Sequence, residues 1–153
     1  CCVGLSRVTP LGAIVVERIY EGMHQSVVKT VRWRDANVFG SAGNDRAIHA
    51  TDIRTPDQSS FVSIPDAHGS AINVIEWHPR DAHIVMSTSF NRDILFHDLR
   101  NPGQALLALS GHHTNDTKNS KSRRCNTIHH PIFVNAGRHV VASAECTNLL
   151  SVY

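Results

Sequence analysis

What this sequence has little of excludes several classes of protein. Lys and Arg number 15 against 13 Asp and Glu in 153 residues, a formal charge of +2. A surface that binds nucleic acid throughout needs a larger basic excess. No apolar run approaches the ~18 residues that a membrane helix requires, and no basic-then-apolar leader follows Cys1. No membrane association is expected. The four cysteines, Cys1, Cys2, Cys125 and Cys146, match neither a disulfide framework nor a CxxC ligand pattern. Free thiols are therefore expected, in an intracellular protein of nucleus or cytoplasm. Asn115-Asp116-Thr117 is formally a glycosylation acceptor, but without a secretory leader it carries no weight. A phosphate-cradling glycine run, a cofactor loop and a carboxylate pair set in a pocket are also missing. The expectation is a protein without enzymatic activity, cofactor or resident metal.

What is present is an internal repeat, which has to be read before any single element. Ser41–Arg54, SAGNDRAIHATDIR, aligns without a gap on Ser87–Arg100, STSFNRDILFHDLR. Ser41 falls on Ser87, Asp45 on Asn91, Ile48 on Ile94, Asp52 on Asp98 and Arg54 on Arg100. A third copy runs from Ser143 to Tyr153, where the sequence stops. An upstream match joins His24–Trp33 to His68–Trp77, with Trp nine residues after His in both. The offset is 44 residues there and 46 at the Ser–Arg stretch, so two residues are added in the turn His78–Asp81. Turns tolerate such insertions cheaply.

Each unit reads as four short strands. In the first these are Val27–Trp33, Val38–Ala42, Arg46–Thr51 and Ser60–Ile64. In the second they are Ile72–Trp77, His83–Thr88, Arg92–His97 and Ala105–Leu109. Ahead of them, Val3–Leu5 suggests a strand end, Thr9–Gly12 a turn and Ala13–Tyr20 a β-branched strand. The middle strands are apolar on both faces, at Val38 and Phe39 and at Ile94, Leu95 and Phe96. A sheet with one wet face would alternate, whereas sheets flanked by sheets would not. Radial repetition satisfies this and leaves only short edges. The expectation is an all-β chain of β-propeller blades, each a four-stranded antiparallel sheet. Residues 1–23 would end a preceding blade, 24–67 and 68–110 would be blades, and 111–153 a truncated blade with an inserted loop at 114–124. Phe133 takes the Trp place in that last unit. The insert, TNDTKNSKSRR, has four basic residues and one acidic, 4 − 1 = +3. It is the one stretch expected to offer a nucleic acid anything. Starting on Cys and stopping inside a repeat, the chain is expected to be a piece of a longer protein.

A four-stranded repeat near 44 residues, with His, Ser, Asp and Trp-Asp places in register, resembles the WD40 repeat. The resemblance covers His24 to Tyr153 and implies a seven-bladed propeller of which this chain is a fragment. It also implies a hydrogen-bonded set in each blade: a His before the first strand, a Ser in the second, an Asp in the turn and a Trp in the third. The first copy has His24, Ser41 and Asp45, with Thr51 at the Trp place. The second has His68, Ser87 and Asn91, with His97 at that place. The third keeps Ser143, with Thr147 and Tyr153 at the Asp and Trp places and no matching His. Thr51 cannot donate as an indole does and gives up buried area.

The set His24, Ser41 and Asp45 also matches the residue types of a hydrolase triad. A triad needs an exposed nucleophile in a strand–turn–helix setting, so a structural role is expected. Cys125, His129, His130 and Cys146 invite a metal reading. In a strand, however, Cys125 and His129 lie far apart and His130 faces the other way, so no metal is assigned. Propellers mostly bind proteins, although fold alone does not decide function. Both complete copies close with Asp-x-Arg: Asp52-Ile53-Arg54 and Asp98-Leu99-Arg100. In WD40 proteins such consecutive exits are similar to those of substrate receptors of cullin-4 RING ubiquitin ligases, where the Arg meets the adaptor. The resemblance thus implies two partners, a ligase adaptor and a substrate, with Asp52, Arg54, Asp98 and Arg100 as contact residues. A scaffold of some other complex, or a chromatin- or RNA-associated propeller, remains open beside it.

Overall fold

The computed structural model describes residues 1–55, 61–90, 93–109, 130–143 and 150–152, the side chains of 143 and 150–152 excepted. The described residues are strands and turns, with a single 3-10 turn at Asn135–Gly137 and no α-helix. None of them forms a helix long and apolar enough to cross a membrane.

Strands β1 (Cys2–Val8) and β2 (Ile14–Glu21) form an antiparallel hairpin. Its turn closes through the Thr9 N–H on the Ala13 carbonyl and the Gly12 N–H on the Thr9 carbonyl. Gly12 takes φ +79°, which the turn demands and glycine permits. Two four-stranded meanders follow, β3 (Val28–Trp33), β4 (Val38–Gly43), β5 (Ile48–Asp52) and β6 (Val62–Ile64), then β7 (Ile72–Trp77), β8 (Ile84–Ser89), β9 (Ile94–Asp98) and β10 (Leu107–Leu109). The last sheet orders β11 (Ile132–Val134), β12 (His139–Ser143) and β13 (Leu150–Val152). These antiparallel sheets are β-propeller blades, as the doubly apolar middle strands required.

Packing between sheets follows directly. Every residue of β4 is buried, as are five of the six in β8. One core joins Ala42, Ile48, Ala50 and Ile64 of the first meander to Ile72, Ile75, Trp77 and Val85 of the second. Another joins Met86, Ile94 and Phe96 to Val140 and Ala142. The hairpin leans on the first meander through Tyr20, fully buried and edge-on to Phe39 at 5.3 Å. Trp77 wedges between two sheets. Its indole N–H donates to the Arg32 carbonyl at 3.0 Å, and its ring lies where a Cβ on Gly40 would stand, at 2.9 Å. Phe133 takes the matching place one sheet on, edge-on to Phe96 and to His78.

Strand ends differ from the reading of the sequence, for local reasons. The third strand starts at Ile48 rather than Arg46, because Arg46 takes φ +66° in the turn, outside β geometry. The second unit's last strand is Leu107–Leu109 rather than Ala105–Leu109; Asn101–Gly103 still belongs to the turn. The strand expected at Ser60–Ile64 is seen as Val62–Ile64, and that at Arg92–His97 as Ile94–Asp98; Ser60 and Arg92 lie outside the described residues. Near the start, the strand end at Val3–Leu5 is a full strand, Cys2–Val8.

Candidate functional site

Two constellations repeat from blade to blade: a buried network between the strands and a charged clasp at the β5 and β9 exits. In the first blade, His24 stands on the connector before β3, Ser41 in β4 and Asp45 in the β4–β5 turn. His24 Nε2 lies 2.8 Å from Ser41 Oγ, and His24 Nδ1 lies 2.8 Å from Asp45 Oδ2. The backbone N–H of Gln25 also donates to Asp45 Oδ2, at 3.0 Å. Burial works to raise the Asp45 pKa, but the His24 hydrogen bond and charge and the N–H groups of Gln25 and Ala47 outweigh it and hold it below the usual carboxylate value. The distances are those of a Ser-His-Asp triad. Ser41, however, is 0% exposed on a strand packed on both faces, so no substrate carbonyl reaches it. The arrangement locks the connector and the turn onto the sheet.

His24→Ala is expected to destabilise the protein by about 1–3 kcal/mol, because Asp45 and Ser41 lose a buried partner. Urea unfolding checks this, and any partner binding should fall only as far as folding does. Loss of a catalytic activity at unchanged stability would contradict the structural role.

The second blade solves the same problem with different residues. Ser87 Oγ sits between His68 Nε2 at 2.8 Å and His97 Nε2 at 3.0 Å. One hydroxyl proton serves two rings, so Ser87 donates to one and accepts from the other. His97 thus reaches Ser87 from the Trp place. Thr51, its counterpart, instead lies against the Met23 thioether, Oγ1 to Sδ 4.0 Å. Asn91 and Thr147 lie outside the described residues, as do Tyr153, the side chain of Ser143, the insert 114–124, and Cys125, His129 and Cys146. His130 is described and is exposed.

Burial depresses both imidazoles of the second blade to about 4, His68 further influenced by the neighbouring His97. The unfolded chain titrates near the ordinary 6.5, so below that pH it binds protons that the folded chain refuses. The stability contributed by this pair is complete above pH 6.5 and is lost as pH falls towards 4. Asp52 and Asp98, held near 2, act only in stronger acid. Urea midpoints are therefore expected to drop steeply between pH 6.5 and 4, with proton uptake on unfolding by His68 and His97 and, since burial holds it low too, by His49. A flat profile over that window would contradict the neutral pair.

The clasp is nearly identical in the two blades. Arg54 Nε donates to Asp52 Oδ1 at 2.9 Å and Nη2 to Oδ2 at 2.5 Å. Arg100 Nε donates to Asp98 Oδ1 at 2.9 Å and Nη2 to Oδ2 at 2.8 Å. Each Asp also accepts the backbone N–H of its Arg at 2.9 Å. The chain is pinned just inside, Ile53 N–H to the Asn37 carbonyl and Leu99 N–H to the His83 carbonyl, both at 2.8 Å. Arg18, from β2, adds donations to the carbonyls of Ile53 and Thr55 at 2.8 and 2.9 Å. Arg54 and Arg100 remain 68% and 59% exposed. A guanidinium has five N–H groups, of which the Asp takes two, leaving three for another molecule.

Reading the sequence missed His49. It is buried in β5 and meets His24 edge-on at 4.5 Å. The available signal was a polar residue at the place of Leu95 in the second copy. Arg18 was also missed, since it belongs to no repeat.

This geometry defines β-propeller blades held by His–Ser networks. No family model matches the chain. It is similar to the WD-40 repeat-containing protein MSI3 of Arabidopsis thaliana, 32% identical over 94 residues, 60% of this chain and 21% of that protein. It is also similar to the RbAp48-related WD40 repeat-containing protein prw1 of Schizosaccharomyces pombe, 30% identical over 100 residues, 63% of this chain and 23% of that protein. The chain spans about a fifth of the length of these curated relatives. Blades and likeness together support a WD40-repeat protein.

Proposed function

We propose that this chain serves as a protein-interaction scaffold, and that its most specific task is to join a substrate to a cullin-4 RING ubiquitin ligase through the clasps at Arg54 and Arg100. One observation carries the reading: two exposed guanidinium groups, held in the same way at the same place of consecutive blades, each with three N–H groups to spare. A strand-anchored, pre-oriented fork suits carboxylates and backbone carbonyls of a protein partner, and little side-chain freedom is lost on contact. Mixing the protein that carries this chain with the purified ligase adaptor tests it. A saturable one-to-one complex is expected, and no association at micromolar concentrations would remove the ligase role.

A second reading is a scaffold of a different complex, chromatin- or RNA-associated included. The two relatives favour it, since both are named for their WD40 repeats, one as RbAp48-related, and neither name mentions ubiquitin ligation. RNA binding through the 114–124 insert would weaken sharply with salt, whereas docking on the clasps would follow Arg54 and Arg100.

A further inference from the structure

The first blade carries an imidazole beyond those of its network, and it stands beside a cavity. His24, Asp45 and His49 come from a connector, a turn and a strand. Their nearest ligand atoms all lie within 4.8 Å of one another. Tetrahedral zinc with ligands at about 2.0–2.1 Å sets donor atoms about 3.3 Å apart. His24 Nδ1 and Asp45 Oδ2 are at 2.8 Å, so that pair need open only slightly. His49, edge-on to His24 at 4.5 Å, brings the third donor within 4.8 Å of the other two.

The supports that a metal site needs are present. Asp45 is fixed by the N–H groups of Gln25 and Ala47. His24 Nε2 is held by Ser41 Oγ at 2.8 Å, the outer hydrogen bond that orients a ligating imidazole. A cavity of about 280 Å³, lined by Met23, Asp45, His49 and Ser63 among others, reaches two of the three donors and provides an entry path. Arg46 also lines it, but its charge is answered by Asp66 at 2.5 Å. The second blade has Asn91 and Leu95 where the first has Asp45 and His49, so it lacks the donor set.

We propose that His24 Nδ1, Asp45 and His49 bind one Zn²⁺ ion, with the fourth coordination position open to the cavity. Two imidazoles and a carboxylate suit this borderline-soft ion. The proton balance closes within the network. The proton on His24 Nδ1 passes to Nε2, and the Ser41 hydroxyl turns from donor to acceptor.

Calorimetric titration of the protein with zinc chloride tests the proposal, using the parent protein and the His49→Gln variant, each with Cys1→Ser, Cys2→Ser, Cys125→Ser and Cys146→Ser so that no thiol competes for the ion. One equivalent should bind the parent. His49→Gln should bind at least about 30-fold more weakly, since even outer-sphere changes cost 10–100-fold, while the metal-free melting temperature stays within a few degrees. Absence of one-equivalent binding, or equal binding by His49→Gln, overturns the proposal. Should that variant fail to fold, the imidazole ¹⁵N resonances of His24 and His49 in the parent decide. Both should shift with one equivalent of zinc, and unmoved resonances overturn the site.

Discussion

Gly43→Ala is expected to cost about 3–5 kcal/mol, the largest loss from any one-methyl change in the first blade. A Cβ at Gly43 would stand 2.0 Å from the Val27 carbonyl oxygen and 2.9 Å from Val28 Cα. Both obstacles are backbone, and the Asn44 N–H already holds the Val27 carbonyl at 2.9 Å. Relief therefore requires breaking the β3–β4 pairing at its irregular end, where the register shifts between Val28 and Thr30. Gly40→Ala makes the useful comparison. Its Cβ would meet Trp77 and Ile75 at 2.9 and 3.0 Å, both side chains of the next blade. They can give a little, so about 1–3 kcal/mol is expected. Urea unfolding of the two variants beside the parent checks the order. Gly43→Ala at parental stability would mean that the β3–β4 bulge is not formed as described.

The double substitution Arg54→Ala and Arg100→Ala is expected to abolish capture of the ligase adaptor while leaving the fold intact. Surface changes usually move stability by no more than ~0.5 kcal/mol, and both guanidinium groups are mostly exposed. Their ion pairs with Asp52 and Asp98 are exposed as well and add little to folding. A guanidinium desolvated at the centre of an interface behaves differently, and its loss costs about 2 kcal/mol or more. Two together correspond to roughly a thousandfold in affinity if they act independently. Each single variant should lose about thirtyfold. Asp52→Asn and Asp98→Asn should weaken binding less, because they loosen the fork without removing it. Parental affinity in the double variant would return the chain to the second reading, a scaffold of another complex.

The architecture was legible in the sequence because the information was doubled. Offsets of 44 and 46 residues between two copies separated strand from turn more surely than either copy alone. Apolar residues on both faces of β4 and β9 told of sheets stacked on sheets, and Val38, Phe39, Ile94 and Phe96 are indeed buried. The contacts of His24 with Ser41 and Asp45 were what the WD40 resemblance implied, since repeat spacing only put the three residues in register. Strand starts were less legible. Arg46 looks like a strand residue until its left-handed backbone is known, and no side-chain pattern announces that. Contacts outside the repeat left no trace to read. Arg18 reaches across to the Ile53 and Thr55 carbonyls, and His49 turns a structural pair into a cluster of three. The burial of Ser41, by contrast, was expected from its structural role, and it is complete. It is what separates the Ser41 of a blade network from a nucleophile with the same neighbours.

Hydrogen exchange of the intact protein, with and without the purified adaptor, tests the central functional claim most directly. Backbone amides at the two clasps, Asp52–Thr55 and Asp98–Asn101, should gain protection together when the adaptor binds. Amides beside the His24–Asp45–His49 cluster, around Asp45 and Ser63, should remain unchanged. Protection confined to the Asp45 side, with both clasps unaffected, would contradict the assignment of Arg54 and Arg100 to a shared partner surface.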